Sequence, residues 1–106
     1  MKVKVIYMPI GHAEMTFEVE TASNSHRGIM KEVWRRFNRV DGNPETEDCV
    51  KLRVRSLACG DVIEYEGKSF VLLGADDRQV DKAELERIRK MSATSRLFKY
   101  SFEVQV

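Results

Sequence analysis

Hydrophobic and polar residues alternate along the first twenty positions of the chain in the manner of two β-strands. Val3, Val5 and Tyr7 alternate with lysines, and residues 15–20 show the same two-residue period after a turn at residues 9–12. This period places one apolar face toward a core and one polar face outward. The pattern predicts an N-terminal antiparallel hairpin.

The period becomes helical over residues 26–40, after Ser and Asn residues that suit a helix N-terminus, and Gly42 and Pro44 are expected to end the helix. Successive residues turn by about 100° around a helix axis, which separates an apolar from a basic side. The apolar side, expected to be buried, comprises Ile29, Met30, Val33, Trp34, Phe37 and Val40. The polar side comprises Arg27, Lys31, Glu32, Arg35, Arg36 and Arg39.

A third strand is predicted at residues 50–55, where apolar and basic residues alternate. It leads into the best-defined element of the chain, a hairpin over residues 61–73 entered through Gly60 and Asp61. The return run, residues 69–73, is almost wholly apolar and is expected to be buried on both faces. Residues 75–78 are polar and are predicted to form a loop.

The C-terminal third is predicted to hold one short helix and one long strand. Asp81 and Glu84 form a capping box, so a helix is expected from Lys82 to about Met91, with Leu85 and Ile88 facing inward. Residues 92–95 read as a loop. Residues 98–106 then alternate, with aromatic residues and valines on one face, and are predicted to form the last strand.

These elements define the α+β class, in the order β-β-α-β-β-β-α-β, with a mostly antiparallel sheet, one main amphipathic helix and one short helix. A strongly curved or barrel-like sheet is the alternative, because the 61–73 hairpin and the last strand are rich in large apolar residues. A length of 106 residues fits a single domain covering residues 1–106.

Composition bears on the cellular compartment and the kind of partner, but it identifies no reaction. The net charge of +1 favours neither a polyanionic nor a polycationic partner. Cys49 and Cys59 lack C-x-x-C spacing and are interpreted as ordinary buried or half-buried thiols, so a reduced, cytoplasmic compartment is expected. No window approaches the roughly 20 apolar residues of a membrane span. We therefore expect no membrane partner.

The chain carries little that suggests catalysis. No P-loop, G-x-G-x-x-G, H-E-x-x-H or G-x-S-x-G pattern occurs. His12 and His26 stand without an orienting partner, and Cys59 without a base. The acidic residues at 45–48 lack the ligand alternation of a calcium loop. The sequence therefore predicts a protein that is not an enzyme and uses neither a cofactor nor a metal.

The basic helix side is the candidate partner-binding surface. Its cations recur at i,i+4 spacing and, together with cations from residues 50–55, could follow an anionic partner. The alternative is a solvated face whose arginines pair internally with the acidic residues at 41–48. The candidate residues are Arg27, Lys31, Arg35, Arg36, Arg39, Arg53 and Arg55.

One stretch resembles a family. The string R-S-L-x-x-G-D-V-I followed by G-K-x-F-V, within residues 55–73, is similar to a motif of short proteins from bacteriophages and other mobile elements. It is carried by Arg55, Ser56, Leu57, Gly60, Asp61, Val62, Ile63, Gly67, Lys68, Phe70 and Val71. The motif carries over no activity. The chain as a whole is predicted to be a non-enzymatic binding protein of a mobile element or its host, acting as inhibitor or adaptor on a macromolecular partner, a protein more readily than a nucleic acid. What the resemblance implies is the target class, a host system such as a defence nuclease. The alternative is a nucleic-acid-binding module that uses the basic helix face.

Overall fold

The structure is a computed structural model and describes residues 1–38, 48–74 and 76–103 of the chain. Five strands occur in this part of the chain: β1 (Lys2–Tyr7), β2 (Met15–Glu20), β3 (Val62–Tyr65), β4 (Lys68–Leu72) and β5 (Asp77–Val80). The helices there are α1 (His26–Arg36), α2 (Asp48–Leu52), α3 (Lys82–Lys90) and α4 (Ala93–Ser101).

The strands form one antiparallel sheet in the order β2-β1-β3-β4-β5, which confirms the α+β class. Residue pairs across the sheet include Val5 with Ile63, and Ile63 with Phe70. Within the described residues the sheet stays open, with β2 and β5 at its edges, so the barrel-like alternative is not what the chain adopts.

The chain divides into two compact units. One comprises Met1–Lys2 with Glu20–Leu57, and the other comprises Val3–Val19 with Ala58–Val106. The first therefore holds α1 and α2, and the second holds nearly all of the sheet with α3 and α4. The single domain over residues 1–106 stays a prediction.

The core of the sheet-bearing unit is built by one face of the sheet together with α3 and α4. Its members lie on β1, β3, β4, β5 and the two helices, together with Met8 and Leu73, which directly follow β1 and β4. The cluster comprises Ile6, Met8, Val62, Val71, Leu73, Val80, Leu85, Ile88 and Tyr100. Because β4 is buried along Phe70, Val71 and Leu72, the expectation of a return strand buried on both faces is confirmed.

The helical unit has its own buried residues. Ser25 caps α1 by accepting a hydrogen bond from the backbone N–H of Gly28, in agreement with the predicted helix start. Ile29, Met30, Val33 and Phe37 are buried as expected. The helix is shorter than predicted, because α1 ends at Arg36, with Phe37 as its C-cap, rather than at Val40. Gly42 and Pro44, which were expected to end it, lie outside the described residues.

The predicted strand at residues 50–55 is wrong, because this segment begins with the short helix α2. The backbone N–H of Val54 bonds the carbonyl of Cys49, and that of Arg53 bonds the carbonyl of Val50. This pair of bonds is the Schellman motif, with Arg53 at the left-handed position (φ 57°) that glycine usually occupies. Apolar residues at every second position from Val50 to Val54 fit a strand, but the two hydrogen bonds of the Schellman motif stabilise a helix in this segment.

The predicted last strand is also wrong. Residues 93–101 form α4, whose N-terminal cap is Ser92, accepting from the backbone N–H of Ser95. The residues that alternate as a strand therefore separate onto two sides of a helix. Tyr100 is buried, whereas Phe98 and Phe102 are exposed.

The polar loop predicted at residues 75–78 is partly replaced by β5, which begins at Asp77 and pairs with β4. A four-residue edge strand of sequence D-R-Q-V has no apolar alternation, so its sequence carries no strand signal. The helix predicted after it is confirmed as α3. Its cap is Asp81, which accepts from the N–H of Glu84 at 2.8 Å.

The Gly60–Asp61 turn is confirmed, and the structure shows which contacts require these two residues. Gly60 has φ 94°, and a Cβ atom there would lie 2.4 Å from Cγ of Arg96, so glycine is required twice over. The buried Asp61 carboxylate accepts from the backbone N–H groups of Met8 and Ala58, each at 2.8 Å. Asp61 therefore ties the end of β1 to the turn that leads into β3.

Candidate partner-binding surface

Three cations of the predicted site lie in a row on the outside of α1. Arg27, Lys31 and Arg35 are exposed, and none makes an ion pair with any of the residues the structure describes. At i,i+4 spacing and a rise of about 1.5 Å per residue, the row extends over roughly 12 Å. A row of this kind presents positive charge to solvent and fits an anionic surface.

Trp34 belongs to this exposed side, contrary to the expectation that it is buried. Its side chain is 46% exposed. By the helical angle of about 100° per residue, Trp34 lies about 85° from the centre of the buried residues and about 60° from the centre of the cationic row. The α1 face, defined here as Arg27, Lys31, Trp34 and Arg35, therefore combines three cations with one indole.

Arg36 is not part of this face. Its guanidinium bonds Asp48 at 2.8 Å, Glu32 at 3.1 Å and the backbone carbonyl of Glu20 at 2.7 Å. These contacts join the start of α2 to α1, since Asp48 is the first residue of α2. Internal pairing with the acidic segment thus applies to Arg36 through Asp48, the one acidic residue of that segment that the structure describes.

The other predicted site residues are dispersed. Arg53 is exposed at the left-handed end of α2, and Arg55 is half-buried and donates to the carbonyl of Ser56 at 3.0 Å. Arg39 lies outside the described residues. The basic strand face expected at residues 50–55 does not exist, because residues 48–52 are helical.

A second charged cluster lies in the sheet-bearing unit, where Arg78 on β5 holds two carboxylates. It bonds Glu84 at 2.6 and 2.9 Å and Glu103 at 2.6 and 3.0 Å. The hydrogen bond from Arg78 holds the pKa of Glu84 below its usual value. Burial and a hydrogen bond to Glu84 raise the pKa of Tyr100 to about 12. Because every polar group in it is paired, we interpret this cluster as structural.

The described residues show no cluster of metal-ligating side chains. Within residues 1–38, 48–74 and 76–103, no group of three or more His, Cys, Asp or Glu side chains is placed to hold a metal ion. Cys49 is buried, Cys59 is half-buried, and both are free thiols. In the same ranges, each helix falls short of the length and apolarity that crossing a membrane requires.

Comparison with known proteins finds no matching family model, no matching curated protein and no matching solved structure. The candidate surface therefore rests on geometry and charge alone.

Proposed function

We propose that this chain is a non-enzymatic binding protein of a phage or mobile element, which acts as inhibitor or adaptor by docking its α1 face onto an acidic surface of a host protein. The observation that carries the proposal is the exposure of Trp34 among three cations that pair with no described residue. Tryptophan and arginine are the residue types that most often dominate the energy of protein interfaces.

Charge and shape act together in this proposal. The cations attract and orient an acidic partner, which mainly raises the association rate. The indole then supplies apolar area that a partner pocket can bury. Arg36 contributes indirectly, because it pairs with Glu32 and Asp48, so neither of these carboxylates pairs with a cation of the α1 face.

A nucleic-acid-binding module is the second candidate, and the same exposed Trp34 favours it. An aromatic ring flanked by cations can stack on an unpaired base while the cations contact phosphates. The two candidates differ in salt dependence, because each phosphate contact releases counterions and steepens the loss of affinity with salt.

The experiment compares two double charge reversals in the full chain. Lys31→Glu with Arg35→Glu changes the α1 face, and Arg87→Glu with Lys90→Glu makes the same change in charge at exposed positions of α3. Each is assayed for capture of a protein from bacterial lysate and for binding to labelled oligothymidylate and duplex DNA at low and moderate salt. Both variants should stay folded and melt somewhat below the parent, because each places glutamate in the last turn of a helix, where a cation is worth about 0.3–1 kcal/mol.

The expected result is a captured protein that is lost with the α1 variant and retained with the α3 variant. Loss of capture by both variants equally, or by neither, contradicts the proposal. Binding to oligothymidylate that depends on Lys31 and Arg35 and falls steeply with salt decides for the nucleic-acid candidate instead. Trp34 is the single tryptophan of the chain, so its fluorescence reports directly on either partner.

A further inference from the structure

The cations of the α1 face lie at positions where they repel one another. Arg27, Lys31 and Arg35 follow each other at i,i+4 spacing, so the Cβ atoms of neighbouring members lie about 5–6 Å apart. Like charges at this spacing destabilise a helix by about as much as opposite charges stabilise it. Lys31 belongs to both pairs, and it makes no ion pair with any residue in the described ranges. The repulsion within the row is therefore greatest at Lys31.

The N-terminal end of α1 adds to this repulsion. Its first turn contains no acidic residue and does contain Arg27. The helix dipole places partial positive charge at this end, so a cation there is unfavourable. The single acidic residue of α1, Glu32, accepts hydrogen bonds from the backbone N–H of Ala22 and from Arg36. Lys31 takes part in none of these contacts.

Helix α3 shows the opposite arrangement at the same spacing. Lys82, Glu86 and Lys90 are exposed and follow each other at i,i+4 spacing, so an acidic residue occupies the middle of this row. Both neighbouring pairs therefore attract, and Glu86 also bonds Arg89 at 2.9 Å. These two helices thus differ in the sign of the central charge, which is negative in α3 and positive at Lys31 in α1. Helix stability favours the arrangement in α3.

A residue that lowers stability and pairs with no described residue is expected where a ligand offsets the cost. Sequences follow local rules over most of their length and depart from them mainly at functional sites. A carboxylate bound at Lys31 would also lie within reach of the cations one turn away on either side, and it would reduce both repulsive interactions at once. The acidic partner of the proposed function supplies such a group.

We propose that Lys31 is the central partner-binding residue of the α1 face, placed between Arg27 and Arg35 to bind a carboxylate of the acidic partner, whose binding stabilises α1. This inference rests on the proposed function and deepens it, because it assigns the central contact and couples binding to stability. A ligand that binds only the folded protein raises its melting temperature. Lys31→Glu should therefore stabilise the free protein and abolish binding, a combination that a purely structural role does not produce.

The first arm of the test is thermal melting of the full chain at low salt, followed by circular dichroism. Lys31→Glu gives α1 the charge pattern of α3 and leaves Arg35 in the last turn, so we expect the melting temperature to rise by about 3–8 °C. The matched control Glu86→Lys gives α3 the pattern of α1 and should melt below the parent. Poly-L-glutamate should raise the melting temperature of the parent by several degrees and that of Lys31→Glu by less than about 1 °C.

The second arm is capture of a protein from bacterial lysate by the same variants. Capture should fall at least about tenfold with Lys31→Glu and stay within about twofold with Glu86→Lys. The inference is overturned if Lys31→Glu melts at or below the parent, or if it captures the protein equally well. Equal stabilisation of parent and Lys31→Glu by poly-L-glutamate, or stabilisation of the parent by oligothymidylate alone, overturns it as well. If the parent captures no protein, the proposed function fails, while the melting comparisons still decide the role of Lys31.

Discussion

Arg96 should be the most sensitive polar residue of the fold. It is 1% exposed, and its guanidinium donates to three backbone carbonyls: Ile88 at 3.2 Å, Met91 at 2.9 Å and Pro9 at 2.8 Å. Ile88 and Met91 lie at the C-terminal end of α3, where a cation is favourable to the helix dipole. Arg96→Met keeps a flexible apolar stem and removes all three donors.

The magnitude follows from the carbonyls that lose their donors. Each buried polar group left without a partner costs about 1–3 kcal/mol, and release of the buried guanidinium offsets part of the sum. We expect Arg96→Met to lower the free energy of unfolding by about 3–5 kcal/mol, a large share of the roughly 5–15 kcal/mol of a natural domain. Arg96→Lys should recover less than half of the loss, because one ammonium cannot replace a planar fork that reaches three acceptors.

Urea denaturation followed by circular dichroism measures this loss. The matched control is Arg87→Met, at an exposed arginine of α3, which should change the free energy of unfolding by about 0.5 kcal/mol or less. If Arg96→Met unfolds at the same urea concentration as the control, the three hydrogen bonds contribute nothing net and this account of the core is wrong.

Four further substitutions test other parts of the structure. Trp34→Ala should cost about 1–2 kcal/mol in urea denaturation, well below the roughly 3–5 kcal/mol of a fully buried tryptophan, and a larger loss would show that the side chain is a core residue. Arg53→Gly should raise stability by about 0.5–1 kcal/mol, because glycine accepts φ 57° without strain, and a loss would count against the Schellman end of α2. Folding lowers the pKa of Glu84, so its carboxylate stabilises the fold fully above the unfolded pKa of about 4.3, and this stabilisation is lost as the pH falls through the lowered pKa. The melting temperature of Glu84→Gln should therefore fall less steeply with acid than that of the parent. Folding raises the pKa of Tyr100 to about 12, so the protonated phenol stabilises the fold fully below about pH 10, and this stabilisation is lost as the pH rises from about 10 to about 12. The melting temperature of Tyr100→Phe should not show this alkaline decrease.

The hairpins and α3 were predictable because their signals are local. A Gly-Asp turn, alternating apolar residues and a capping box each act within a few residues, and the structure contains all of them. The two wrong strands also have a local explanation. In residues 50–55 and 98–106, apolar residues at every second position match a strand, whereas the end of α2 at Arg53 and the cap of α4 at Ser92 stabilise helices in both segments.

The candidate site was predictable in part. Periodicity placed Arg27, Lys31 and Arg35 on the outer side of α1, and they are exposed there. The same periodicity placed Trp34 at the margin of the apolar side, where burial depends on what the rest of the unit covers rather than on the helix itself. Of the apolar residues of this helix, Trp34 lies furthest in angle from the centre of the apolar side, and this angle is the feature of the sequence that indicates its exposure.

Arg96 could not be found by any local pattern, since one of its partners, Pro9, lies 87 residues away along the chain. Two residues of the motif within residues 55–73 have structural roles next to this contact. Gly60 leaves room for the stem of Arg96, and Asp61 joins Met8 to the turn, so these motif residues build the centre of the sheet-bearing unit. Chains that share the motif would be expected to share this fold without necessarily sharing a partner. A partner of the kind proposed above would have to be recognised by residues that the motif does not include, and the exposed cations and Trp34 of the α1 face are residues of this kind.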